Sequence, residues 1–293
     1  MTDTANILFL VPVDFSPQSL IAADQAHNLA YYFGGELVLL NVFEHGGFIS
    51  KLFSNDSASY ILKKRHTEDL DSLAQKLHQE KKVKVRTLLS EGDVWEEILV
   101  AAERLKVSFI VMSALQSKRL KNSFIATNTM RVVREAFCPV ITIRGEKHRQ
   151  GCKNIVIPLD LSKESRQKVS YAIGFAKRFN NTTIHMVSVI DTGSKKQIDR
   201  LKSQMNDVKY EIETQGINCK AEFVKIISSE DTIANAILAY SKRVKADVII
   251  IMTQQEKNPT DFFIGSSATA IINNSDIPVM SIIPKKEIKS KFF

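Results

Sequence analysis

The chain is poor in the residues that build covalent or metal staples. Its 293 residues include three cysteines, Cys138, Cys152 and Cys219, an odd number with no C-x-x-C spacing. That excludes a disulfide framework and a zinc ribbon, and it fits a reducing compartment. Six histidines (His27, His45, His66, His78, His148 and His185) are scattered without an H-x3-H pair or a Cys/His cluster, so spacing predicts no metal site. Long apolar runs are also missing. The longest, such as "ILFLVPV", stop at seven or eight residues, far short of the roughly 20 that span a membrane as a helix. "MTDTAN" places no basic residue ahead of the first apolar run, so no secretory leader is expected. There is no G-x-S-x-G elbow, no Walker lysine loop and no S-G-G-x-D-S pyrophosphatase loop. The expectation is a cytoplasmic protein that is not an enzyme.

An excess of one charge sign is confined to one short stretch. The formal net charge is +8, but residues 1–150 hold 19 Lys+Arg against 17 Asp+Glu, and residues 151–293 hold 21 against 15. About half of the second surplus sits in the terminal "KKEIKSKFF". Elsewhere the signs alternate along helices, the pattern of a solvated surface rather than a nucleic-acid footprint. Neither nucleic acid nor a membrane is an expected partner.

What the chain does have is a repeat. "VPVDFS" (11–16) returns as "IPLDLS" (157–162), half the chain later. Hydrophobic periodicity gives the same order of elements around each copy. In the first half these are a strand at 7–13, a helix at 17–33, a strand at 36–43, a helix near 57–80 and a strand at 82–89. A helix at 94–105, a strand at 108–113, a helix near 126–136 and a strand at 139–144 follow. The second half repeats this with "NIVIPL", "TTIHMVSVI", "CKAEFVKII", "DVIIIMT" and "PVMSII" between helices. Strands apolar on both faces belong to a parallel sheet covered on both sides, and right-handed crossovers make each half a doubly wound α/β domain of five strands. The boundaries are residues 1–145 for the first domain, 146–152 for a polar linker, 153–284 for the second domain and 285–293 for a basic tail. Ser16 before Pro17 reads as an N-cap, and Asp93 with Glu96 has capping-box spacing.

"NILFLVPVDFSPQSLIAADQAHNLA", "LLNVFE" and "FIVMSALQSKRLKNSFIATNTMRVVREAFCPVITIRG" resemble the universal stress protein family. So do "NIVIPLDLS" and "DVIIIMTQQEKNPTDFFIGSSATAIINNSDIPVMSII". The resemblance covers nearly all of both halves and implies a tandem, UspA-like protein of the adenine nucleotide alpha hydrolase-like fold. It implies that the last strands, "PVITIR" and "PVMSII", pair the two halves about a pseudo-twofold axis, and it leaves room for a homodimer. It also places strand 1 beside strand 4 at the reversal of strand order, where open α/β sheets bind ligands.

By that resemblance Asp14 and Asp160, at the ends of the two first strands, lie where a carboxylate accepts hydrogen bonds from a ribose. Val42 and Val189 lie near an adenine. ATP-binding members carry G-x2-G-x9-G-[S/T] after strand 4, so that backbone approaches phosphate at a helix N-terminus. Here the first half reads Ser113-x2-Gln116-x9-Ala126-Thr127, with every glycine lost, although Lys118, Arg119 and Lys121 remain nearby. The second half reads Thr253-x2-Glu256-x8-Gly265-Ser266-Ser267, one residue shorter, with Glu256 and Asp261 adding negative charge. The second half therefore reads as the better of two degenerate sites, for ATP, ADP or AMP. Asp14 and Asp160 also suit a plain turn into the following helix.

Among the remaining residues, His185 reads as a satisfied core or edge residue. Cys138 and Cys219 read as small apolar groups, and Cys152 as the exposed thiol. Residues 44–60 read as a flap or contact surface. The expected function is a stress-response sensor or regulatory module with an unidentified protein partner. A ligand-free interaction scaffold and a weak ATP-hydrolysing protein are the alternatives.

Overall fold

Short apolar runs bounded by turn residues become strands, and the amphipathic stretches between them become helices. The computed structural model describes residues 7–43, 56–114, 128–145, 149–160, 163–190, 195–226, 232–253 and 264–283, without the side chains of 56–59, 163–166 and 197. The first half runs β1 (Leu8–Pro12), α1 (Pro17–Phe33), β2 (Glu36–Phe43), α2 (Asp56–Lys81), β3 (Val85–Glu91), α3 (Val94–Leu105), β4 (Phe109–Ser113), α4 (Asn128–Glu135) and β5 (Val140–Ile143). The second half runs β6 (Asn154–Pro158), α5 (Lys163–Ala176), β7 (Thr183–Ile190), α6 (Lys195–Thr214), β8 (Asn218–Lys225), α7 (Ile233–Arg243), β9 (Val248–Met252), α8 (Ser266–Asn274) and β10 (Val279–Ile282).

All the strands join one ten-stranded sheet in the order β3-β2-β1-β4-β5-β10-β9-β6-β7-β8. Within each half the pairs are parallel. The seam between halves is antiparallel: Val140 faces Ser281, Ile141 faces Met280 and Thr142 faces Val279. The last strands thus cover one another's edges, which would otherwise be open to aggregation. Each half reverses its strand order between the first and fourth strands, β1 and β4 in one, β6 and β9 in the other.

The period of two along each strand explains the doubly apolar runs. Phe9, Val11 and Val13 face a layer with Ala22, Ala26 and Phe33 of α1 and Leu70 and Leu77 of α2, which continues to Val169 and Phe175 of α5 and Met205 of α6. Leu8 and Leu10 face the other layer, with Ile98 of α3, Val132 of α4, Ile237 of α7 and Ile271 of α8. Among the described residues no helix is long and apolar enough to cross a membrane.

Local signals set the element ends. Ser16 caps α1, accepting the Ser19 N–H at 3.2 Å, with Pro17 next. Gly34 closes the same helix at φ 64°, its N–H turned to the Ala30 and Tyr31 carbonyls. Asp93 takes the N-cap place of α3 but makes no side-chain cap bond. The expected capping box does not form; the acid engaged there is Glu97, which accepts the Ser90 hydroxyl. The strand expected at 82–89 begins at Val85, because Lys82 adopts φ 57° and its N–H closes α2 on the His78 carbonyl at 2.9 Å.

The cysteines divide as expected in two cases and not in the third. Cys138 and Cys219 are buried, and burial pushes both thiols up to about 12. Cys152, expected to be exposed, is 5% exposed, and burial raises its thiol as well. The chain entering β6 turns inward there: the Cys152 carbonyl accepts Thr182 Oγ1 at 2.7 Å, and Asn28 Nδ2 donates to the Arg149 carbonyl at 2.6 Å. His185 is 5% exposed, a core placement as expected, with Nε2 at 3.1 Å from Asn154 Oδ1; its Nδ1, however, is buried without a hydrogen-bond partner among the described residues, so the ring is only half satisfied.

Candidate functional site

In the first half a cavity of about 320 Å³ opens where β1 and β4 diverge. Pro12, Val13 and Asp14 line it from the end of β1, Leu40 and Val42 from β2, and Met112 and Ser113 from β4. Ser19 of α1, Val94 and Ile98 of α3, and Asn128 and Thr129 of α4 close it. Mostly apolar walls with a few convergent polar groups are the usual character of a small-molecule site. Three residues expected from sequence, Asp14, Val42 and Ser113, meet here.

The turn after β1 holds Asp14 firmly. Its Oδ1 accepts the Ser16 N–H at 2.9 Å, and its own N–H donates to Ser19 Oγ at 3.3 Å. Ser19 Oγ in turn donates to the Ser16 carbonyl at 3.0 Å. Burial pushes the Asp14 carboxyl up, but the hydrogen bonds with Ser16 and Ser19 together outweigh it and hold the group below its ordinary value. At neutral pH the crevice therefore contains a carboxylate able to accept hydrogen bonds. Across from it, Thr129 Oγ1 donates to the Ser113 carbonyl at 3.1 Å, tying the start of α4 to the end of β4.

A second row of residues props this turn from behind. Asn41 is buried in β2; its Nδ2 donates to the Val13 carbonyl at 2.7 Å, and its Oδ1 lies 3.1 Å from His66 Nδ1. The His66 ring packs on Phe43, with centroids 4.6 Å apart, and edge-on to Phe15 at 6.0 Å. Phe15 takes φ 60°, a left-handed conformation uncommon for a bulky side chain. Sequence reasoning missed Ser19, Asn128, Thr129 and the Asn41–His66 pair. The visible signal for Asn41 was a lone amide inside the apolar run "LLNVF".

The second half is arranged differently. Asp160 ends β6 and is exposed, and Val189 is half-buried in β7. Thr253 is 1% exposed, and its N–H and Oγ1 both reach the Ile282 carbonyl, at 3.1 and 3.3 Å. Its hydroxyl is therefore engaged within the fold. Gly265 is the N-cap of α8, with Ser266 and Ser267 opening the helix and no side-chain cap bond. Lys168 of α5 is 7% exposed beneath the end of β6, and its ammonium donates to the Pro158 carbonyl. Burial brings its pKa down to about 8, opposed by the Asp160 carboxylate. This half thus carries a cation of its own beside the acid.

Thr127, Gln116, Lys118, Arg119, Lys121 and Ala126 lie outside the described residues, as do Glu256, Asp261, residues 44–55 of the expected flap and the tail 285–293. Residues 56–60 of that flap begin α2.

The model of the universal stress protein family matches residues 9–144 and again 151–282. The chain belongs to that family. A universal stress protein of Methanocaldococcus jannaschii is 30% identical over 140 residues, 47% of this chain and 82% of that one. A solved universal stress protein from Archaeoglobus fulgidus DSM 4304 superposes with a TM-score of 0.77 over 95% of this chain and 97% of its own, at 20% identity. A protein of unknown function from Pseudomonas aeruginosa PAO1 gives 0.69 over 96% and 93%, at 18% identity. At such identities these two structures establish a shared fold. This protein is a tandem universal stress protein in which both copies join one sheet.

Proposed function

We propose that this tandem universal stress protein is a non-enzymatic regulatory module that takes a small adenine nucleotide in its first-half crevice, with the second half as a structural partner. The observation that carries the reading is the meeting of Asp14, Val42 and Ser113 at one cavity. The Asp14 carboxylate is suited to ribose hydroxyls, and Val42 with Leu40 and Ile98 offers an apolar slot for a base. Because the loop after Ser113 lacks glycine, AMP or ADP suits the site better than ATP. Lys168 favours the structural role for the second half, since its ammonium beside Asp160 supplies the interaction that a ligand would otherwise make. Binding would act by population shift, stabilising the conformation of the crevice that holds the ligand and with it the surface offered to a partner.

The test is isothermal titration of the full chain with AMP, ADP and ATP, alongside mass spectrometry of whatever small molecule co-purifies. Asp14→Ala is expected to weaken binding about tenfold or more, the effect of losing hydrogen bonds to a charged acceptor. Asp160→Ala is expected to leave it unchanged. Loss on Asp160→Ala alone would move the site to the second half. No binding to any of the three, with nothing co-purified, would sink the reading and leave an interaction scaffold.

A further inference from the structure

α1 and the last turn of α2 bring together three groups that no spacing rule along the chain connects. Asp24 and His27 stand three residues apart on α1, and Glu80 lies near the end of α2. One ligand atom from each lies within 4.8 Å of the others. The histidine distinguishes this from an ordinary acidic surface. His27 is 1% exposed, it hydrogen-bonds the Leu77 carbonyl, and its Nε2 is buried with no hydrogen-bond partner among the described residues. Buried polar atoms without partners are rare in native folds, and each one calls for a reason.

We propose that Asp24, His27 and Glu80 form a binding site for a divalent first-row cation, zinc fitting best, which clamps α1 to α2. With Nδ1–H given to the Leu77 carbonyl, Nε2 carries the lone pair that a metal needs. A histidine whose second ring nitrogen donates to a carbonyl is the usual outer arrangement of a metal ligand. One imidazole and two carboxylates make a mixed N/O donor set, which suits zinc better than the all-oxygen shells of calcium or magnesium. The nearby Lys81 ammonium is engaged by Asn28 Oδ1 and lies 5.4 Å from the Tyr31 ring centroid. Two carboxylates against that one cation leave a net negative charge for the ion. Glu80 is exposed, which gives the ion a path in and lets the third ligand swing onto it. The start of α1 lines the nucleotide crevice and α2 carries His66, so a clamp between them would stiffen the support of the Asp14 turn.

The full chain, stripped with a chelator, is to be titrated with zinc by calorimetry and with cobalt(II) followed by its visible absorption. One equivalent of zinc is expected, with a cobalt spectrum of low coordination number. His27→Gln alters a buried position and risks the fold, so the decision rests on Glu80→Gln, at an exposed side chain, and on Asp24→Asn. Each is expected to weaken zinc binding at least about tenfold, the loss that removing even an outer-sphere partner produces. Absence of stoichiometric binding, or a titration that either substitution leaves unchanged, overturns the site.

Discussion

The two halves put an acid at the same strand end and then diverge eight residues later, where Ala22 follows Asp14 and Lys168 follows Asp160. Ala22 is wholly buried in α1, and among the described residues the hydrogen bonds that hold the Asp14 carboxylate come from Ser16 and Ser19, both neutral. Lys168 threads an ammonium into the equivalent interior and satisfies it on the Pro158 carbonyl and the Asp160 charge. Both choices are compatible with one backbone plan, because the sheet and its two apolar layers are set by residues elsewhere. The repeat sets the same scaffold in both copies, while the side chains behind the strand-1 acid differ, a buried alanine in one copy and a buried lysine near Asp160 in the other.

Exchanging the two choices is the harshest way to break the comparison. Ala22→Lys would force a long charged side chain into a packed interior that is not shaped for it. Overpacking and an uncompensated buried charge together should cost about 3 kcal/mol or more, read as a fall in the urea midpoint. A loss below about 1 kcal/mol would mean that the two interiors are interchangeable and that the difference carries no information.

The converse substitution has a smaller effect with a pH signature. The folded pKa of Lys168, about 8, lies below the ordinary 10.5, so between these values the unfolded chain holds more protons than the folded one. Stability contributed by this group therefore rises as pH climbs from about 8 to 10.5, and the unfavourable burial is fully present below 8. That gap corresponds to roughly 3 kcal/mol, and loss of the bond to the Pro158 carbonyl returns about 1. Lys168→Met, which keeps the chain length of the side chain, should then be about 2 kcal/mol more stable than wild type at pH 7, with the advantage vanishing towards pH 10.5. Parallel pH profiles for the two proteins would remove the buried cation from the account of the second half.

The fold was readable because its signals are local and repeated. Apolar runs of strand length, "VPVDFS" against "IPLDLS", and "PVITIR" against "PVMSII", each carry their own structural consequence. Asp14, Val42 and Ser113 were readable as partners through the family resemblance: each sits at a strand end, and the strand order that the resemblance implies brings those ends together. Lys168 was not, since a lysine in an amphipathic helix looks solvated until the docking of that helix is known. The same holds for Cys152, whose polar neighbours suggested exposure, and for Asn41 with His66, which meet only when α2 lies across β2. Asp24, His27 and Glu80 show the limit most clearly, because two of the three lie within one turn while the third comes from a helix ending more than fifty residues later.

The seam offers the mildest comparison. Thr142 of β5 and Ser281 of β10 occupy equivalent places about the Ile141–Met280 pair, and both are 2% exposed. Thr142 Oγ1 donates to the Val279 carbonyl at 3.3 Å, whereas Ser281 Oγ has no partner among the described residues. A buried hydroxyl that makes its bond contributes about 1 kcal/mol, and one that does not is a net liability of similar size. Thr142→Val, close in shape, should therefore lower stability by about 1 kcal/mol. Ser281→Ala should be neutral or raise it by up to about 1 kcal/mol. Equal losses at both positions in urea unfolding would show that Ser281 is satisfied at the seam in solution, and that the halves meet more symmetrically than their hydroxyls suggest.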